Sequence, residues 1–165
     1  MKGEPSPSVA VMSELTTATA TDLKAFDPST DAQVKSLCKV LERDFPQANI
    51  ETEHLFHAGM YARTVWMPAG SVVVGAKIKI DTLLILNGHV RMKTGENWEE
   101  LAGYCVLSGA AGRRGVVVVL EDTVVTMIFP TNAKTVDEAE RQFTDEFEEL
   151  GTRKGKCPDG LPPPQ

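Results

Sequence analysis

Two stretches of this chain hold side chains whose types and spacing could do chemistry. His54 and His57 stand three residues apart beside Glu51 and Glu53. Imidazole and carboxylate together suit metal ligation or proton transfer, so His54, His57 and Glu53 form one candidate set. The chain has only three histidines, His89 being the other, and no His-x-His pair, so that set lacks a third fixed nitrogen. The competing and preferred explanation is that His54 and His57 are ordinary strand or loop residues at the entry to the barrel, since two histidines without a third fixed ligand make a weak metal site. The second stretch is Gly109-Ala110-Ala111-Gly112-Arg113-Arg114-Gly115. Glycines expose backbone N–H groups and guanidiniums bind phosphate bidentately, which makes Gly112, Arg113 and Arg114 candidate contacts for an anionic metabolite or nucleotide. It is not a Walker loop: Gly-Lys-Ser/Thr is absent and a run of valines follows. A strand connection whose arginines are solvated, or pair with an acidic helix, is the competing explanation. Ser108 has no recognisable His/Asp partners. Glu99-Glu100 after Trp98 reads as a turn rather than an acid–base pair. Tyr61, Arg63 and Trp66 either line a groove or belong to core and rim, and His89 reads as exposed. No catalytic residue and no cofactor is assigned.

The elements that would position these residues follow from periodicity. Val34, Leu37, Cys38 and Leu41 recur at helical spacing behind Asp31 as N-cap, and Pro46 ends that helix. Across residues 60–130, short β-branched runs alternate with Gly, Pro and Asn-Gly, the pattern of an antiparallel sandwich or barrel. Asn87-Gly88 predicts a type I′ hairpin, and Pro68-Ala69-Gly70 and Thr94-Gly95 predict turns. Thr135 with Glu138 suggests a capping box opening a helix over Val136–Leu150. Its apolar stripe (Val136, Ala139, Phe143, Phe147, Leu150) faces the sheet. The other face is acidic: Asp137, Glu138, Glu140, Asp145, Glu146, Glu148 and Glu149. The domain so delimited is 29–150, between a Ser/Thr/Ala/Pro-rich arm (1–28) and a linker-like tail (151–165).

Charge and cysteines bound the function. Lys+Arg 17 against Asp+Glu 23 gives −6, and the whole excess sits in 136–150, which carries seven acids and one arginine. A balanced remainder gives no basic field for nucleic acid. No apolar run reaches the roughly 18 residues of a membrane span, and Val9–Met12 flanked by Glu4 and Glu14 is no signal peptide. Cys38, Cys105 and Cys157 are odd in number and widely spaced; Cys157 reads as exposed, and a reduced cytoplasm is the expected compartment.

The order of helix, IETEHLFHAGMYARTVWMPAGSVVVG, strands, EDTVVTMIFPT and acidic helix resembles a small cupin-like (RmlC-like jelly-roll) family found largely in tailed phages and prophages. The resemblance runs from about Leu37 to Leu150. It is carried by Glu53-His54, Gly59-x-Tyr61-Ala62-Arg63, Pro68-Ala69-Gly70, Gly88, Gly112 and Glu121-Asp122-Thr123. It implies a mainly β jelly-roll barrel with a short N-terminal helix and a C-terminal amphipathic helix. Metal-binding cupins place histidines where this chain has Ile78 and Ile80, with Thr82 and Leu84 following and Leu120 at the third position. Alternation puts Ile78, Ile80, Thr82 and Leu84 on one strand face and Lys77, Lys79 and Asp81 on the other. The implied interior is apolar where a cupin would hold metal.

Three readings follow. The first is a metal-free, non-enzymatic cupin-like protein working by association, as a homo-oligomer or a component of a phage virion or its assembly in the host cytoplasm. The second is a binder of a small anionic ligand through Arg113 and Arg114. The third is a metal-dependent enzyme with an unusual site at His54, His57 and Glu53.

Overall fold

The computed structural model describes residues 30–94 and 97–150. The expected arm and tail, with Cys157, lie outside the described residues. The first element, α1 (Asp31–Asp44), is capped by Thr30 rather than Asp31. Thr30 Oγ1 accepts from the Gln33 amide at 3.3 Å, while the Gln33 carboxamide accepts from the Thr30 amide at 3.0 Å. That reciprocal box selects Thr30, because Gln33 stands at N3 only for that register. The helix ends at Asp44, since Pro46 forces Phe45 into extended backbone. Val34 and Leu37 bury against Val116, with Leu41, Val72, Val74 and Trp98 packed around them.

Six strands follow: β1 (Glu51–His57), β2 (Met60–Met67), β3 (Val72–Val74), β4 (Thr82–Thr94), β5 (Asn97–Gly109) and β6 (Gly115–Pro130). All pairings are antiparallel, in the order β1-β2-β6-β4-β5, with β3 also on β6. β6 is the central strand. It pairs with β3 and then β2 along one edge and with β4 along the other. The expected mainly β, antiparallel architecture with a short helix before the strands and another after them is the one observed.

Three local expectations are corrected. Asn87-Gly88 is not a hairpin turn but the middle of β4, where Asn87 pairs with Tyr104 and Val124. Gly88 is needed there because β4 crosses β6 closely: a Cβ on it would lie 2.2 Å from Thr123 Oγ1, and its φ is +147°. β4 turns back into β5 only beyond Thr94, which pairs with Asn97. The stretch around Ile78 is not a strand either. It holds one bridge, to Arg113, and spends its N–H groups on separate partners: Gly75 on Gly115 O, Ile78 on Arg113 O and Lys79 on Phe143 O.

That last bond explains the third correction. The helix expected over Val136–Leu150 is α2 (Val136–Phe143), followed by a single 3₁₀ turn (Phe147–Glu149). Phe143 O accepts from Lys79 N at 2.9 Å and Thr144 Oγ1 donates to Lys77 O at 2.8 Å. Bonding to the 77–79 backbone pulls the chain out of helical geometry. The cap itself is only half the expected box: Thr135 accepts from Glu138 N, but the Glu138 carboxylate reaches Lys134 N instead of its own cap.

Two apolar clusters fill the inner face of the sheet. One joins Tyr61, Met127, Phe129, Ala139, Phe143 and Leu150, so α2 closes one end. Tyr61, Phe129 and Phe143 meet there edge-on or stacked at centroid distances of 5.2–6.5 Å, geometries that add to plain area burial. The other joins Met67, Leu86, Val90 and Val119, with Cys105 packed against it.

Candidate functional site

Most of the positions where the resemblance would place metal histidines belong to the core. Ile78, Ile80 and Leu84 pack on the Tyr61–Phe143 cluster. Thr82 is buried, and its hydroxyl accepts from Arg113 Nη2 at 2.5 Å. Leu120 departs from the expected interior position: it is 37% exposed. Val119 pairs with Val90 and Glu121 with His89, leaving Leu120 as the unpaired extra residue of a bulge that turns its side chain outward.

His54, His57 and Glu53 are not brought together. Burial alternates along β1, so His54 turns inward while Glu53 and His57 are exposed on the opposite face. No group of three His, Cys, Asp or Glu close enough to share a metal occurs among the described residues. His54 instead joins a polar cluster that the periodicity did not reveal. Its Nδ1 lies 2.7 Å from Tyr61 Oη. Burial, aided by the charge of Arg63, pushes the imidazole down to about 4, so it stays neutral near pH 7. Burial raises the Tyr61 phenol and lowers the Arg63 guanidinium. Arg63 Nε is buried with no hydrogen-bond partner among the described residues.

Glu140 completes this cluster and corrects the helical-face expectation. It is 2% exposed rather than solvated, and its charge acts on both Tyr61 and Arg63. An inward arginine across the core is the counter-charge that makes its burial tolerable. Tyr61 and Arg63 therefore face inward while Trp66 is on the other side of β2, so the three do not share a groove. The signal was present in the sequence: Tyr61 and Arg63 share strand parity, and Glu140 lies one turn before buried Phe143.

The glycine-rich loop has its polar groups engaged within the protein. Arg113 donates to Ala110 O at 2.9 Å and Ile80 O at 3.4 Å besides Thr82. Gly112 N donates to Ile78 O and Ala111 N to Asp81 Oδ1. Arg114 pairs with Glu146 at 2.5 Å, and Lys35 of α1 approaches the same carboxylate at 3.7 Å. These partners and the Lys77 amide outweigh burial and hold Glu146 below the usual carboxylate range. His89 is 27% exposed, with Nε2 2.8 Å from Glu100.

Among the described residues, no helix or second sheet covers the outer face of the sheet where β1, β2, β6, β4 and β5 lie side by side. Register aligns it in rows across five strands. One row is Leu55, Ala62, Ile128, Leu83 and Ser108; the next is Glu53, Thr64, Thr126, Ile85 and Val106. The third is Glu51, Trp66, Val124, Asn87 and Tyr104. Tyr104, Leu55 and Val106 are more than half exposed. The only charges in these rows are Glu51 and Glu53, both on edge strand β1. The sequence hid this face because β4 and β6 are apolar on both sides, and only one side could be assigned to the core.

No protein-family model matches this chain, and no curated protein matches it by sequence. Solved structures do. A cupin superfamily protein from Desulfitobacterium hafniense is 15% identical, with 54% of this chain and 84% of that one covered at a TM-score of 0.45. KdgF from Halomonas sp. is 17% identical, with 59% and 94% covered at 0.44. An RmlC-like cupin with a double-stranded β-helix fold from Methanocaldococcus jannaschii is 10% identical, with 54% and 84% covered at 0.43. What each neighbour does is a property of that neighbour. No helix among the described residues is long and apolar enough to cross a membrane.

Proposed function

We propose that this protein works by association with protein rather than by catalysis, as a cupin-like component of an assembly of the phage type that its sequence resembles. The observation that carries this reading is the three rows of the outer face over β2, β6, β4 and β5, mostly apolar and without a charge among them. Contiguous apolar surface of this kind on a soluble domain marks an interaction site. The inner face supports the same reading: Ile78, Ile80 and Leu84 pack into the core where the resemblance would place metal ligands, and His54 and Arg113 are committed to internal partners. The test is the native size of the protein in the cells that produce it, compared with a Val106→Glu variant. The expected result is a complex larger than the monomer that is lost on substitution. A variant that keeps the same company would refute the reading.

A further inference from the structure

We infer that the open part of the outer face takes an amphipathic α-helix from a partner protein, its apolar stripe on the three rows and lysines or arginines along its flanks. The inference rests on the association reading above and names the chemistry of that partner.

The protein already covers one end of this face with a helix. Register in the β4–β5 pair is unbroken from Thr82 to Thr94. Lys93 and Trp98 therefore face the same way as Asn87 and Tyr104. Val74, Val116, Lys93 and Trp98 pair in turn across β3, β6, β4 and β5. α1 lies on that row: its Val34 and Leu37 bury against Val116 with Trp98 packed beside them, and Lys93 is 3% exposed. An apolar helical stripe thus fits this sheet surface. Further along, Leu83, Ile85, Val124 and Ile128 point outward, opposite the core residues Leu84, Leu86, Val125 and Met127. Strands apolar on both faces belong to sheets covered on both faces.

Size and charge select the occupant. The three open rows span about 19 Å across the five strands and about 13 Å along them. That matches three to four turns of one helix about 10 Å wide. Carboxylates border the rows on two sides. Glu51 and Glu53 stand exposed on β1. At the end facing α1, Glu100 and Glu121 are more than half exposed, at 2.8 and 3.9 Å from His89. Arg91, the guanidinium of that band, lies over the Trp98 ring at 5.9 Å, on the α1 side. A helix laid on the rows brings its polar flanks against these carboxylates. Apolar anchors at i, i+3, i+4 and i+7 suit the rows, and cationic flanks suit the border. An acidic helix would meet Glu51, Glu53, Glu100 and Glu121 as like charges.

The test uses the full chain and two synthetic peptides of about 16 residues, each with leucines at i, i+3, i+4 and i+7 spacing. One carries lysine on its flanks and the other glutamate. Fluorescence anisotropy of the labelled peptide measures binding, and circular dichroism establishes that each protein variant is folded. The lysine peptide is expected to bind about tenfold or more tightly than its glutamate twin at low salt. Leu83→Ser and Val106→Ser are expected to weaken both. Glu51→Lys combined with Glu53→Lys is expected to reverse the preference, whereas Glu148→Lys combined with Glu149→Lys, on the 3₁₀ turn, leaves it in place. Absence of binding, equal affinity for the two peptides, indifference to Leu83→Ser and Val106→Ser, or a preference that follows residues 148 and 149 would each overturn the inference. So would a dimer in sedimentation equilibrium that excludes the peptide, since a second copy then holds the face. If the lysine peptide fails while Val106→Glu still abolishes the native complex, association stands and the helix falls. Hydroxyl-radical footprinting of the free monomer, with buried Tyr61 as reference, is expected to oxidise Tyr104 readily. A shielded Tyr104 would show the chain covering its own face, and both readings fall.

Discussion

Acid should destabilise this fold through His54 before it does so through the carboxylates. The folded imidazole is held down to about 4 against its ordinary value of 6.5. Between those values the unfolded chain binds more protons than the native one, so stability rises with pH there. The contribution of a neutral His54 is complete above 6.5 and is lost as pH falls toward 4. Because the ring is only partly buried and solvent screens it, its full loss amounts to roughly 1–2 kcal/mol, still a sizeable fraction of the stability of a small domain. The matching perturbation is His54→Gln, whose side-chain oxygen can still accept from Tyr61 Oη but does not titrate. Urea unfolding of both proteins at intervals from pH 7 to pH 4 measures the effect. The stability of wild type relative to the variant should fall by roughly 1–2 kcal/mol across that window. Glu146, whose stabilising contribution disappears only as pH falls below its unfolded value of 4.5, is common to both proteins and cancels. Parallel curves down to pH 4 would refute the burial argument for His54.

Two further substitutions test the backbone and the loop. Gly88→Ala combines a positive φ with a Cβ 2.2 Å from Thr123 Oγ1, whereas Gly103→Ala at φ +76° meets nothing within 4 Å. Thermal unfolding should show Gly103→Ala costing about 1 kcal/mol and Gly88→Ala about 3 kcal/mol or more; equal losses would show that β4 and β6 are not in close approach there. Arg113→Ala removes donors to Ile80 O, Ala110 O and Thr82 Oγ1, so denaturant unfolding should register a loss of about 1–3 kcal/mol. An unchanged midpoint would place this guanidinium in solvent.

The sheet was legible in the sequence and its closure was not. Residues 77–84 alternate between exposed and packed as the pattern suggested, but only from Thr82 onward is this strand parity. Before it the facing is set by the single bonds of Ile78 and Lys79 to Arg113 and Phe143. Asn87-Gly88 misled because glycine serves two purposes. The same residue that permits a tight turn also permits close passage over Thr123, and only the tertiary neighbour distinguishes them. Leu120 misled because one bulged residue reverses parity. The Val136–Leu150 stripe extended past the real helix because its period carries no record of the bonds from Phe143 and Thr144 to residues 77–79. Glu140 shows the same blindness from another side: charge patterning reads a carboxylate as solvated unless the buried guanidinium opposite it is known.

The place of β6 in the sheet has a consequence for synthesis. The β1–β2 and β4–β5 hairpins can each form as soon as they leave the ribosome, but neither has the other as a neighbour. The strand that joins them is the last of the six to be made, and it contacts β2, β3 and β4 together. Until residue 130 has emerged, two apolar hairpins wait with open edges. Long-range pairing of this kind slows folding and exposes intermediates to aggregation. The rate-limiting event should therefore be the insertion of β6. Chains cut before its end should accumulate as chaperone clients rather than as smaller folded domains.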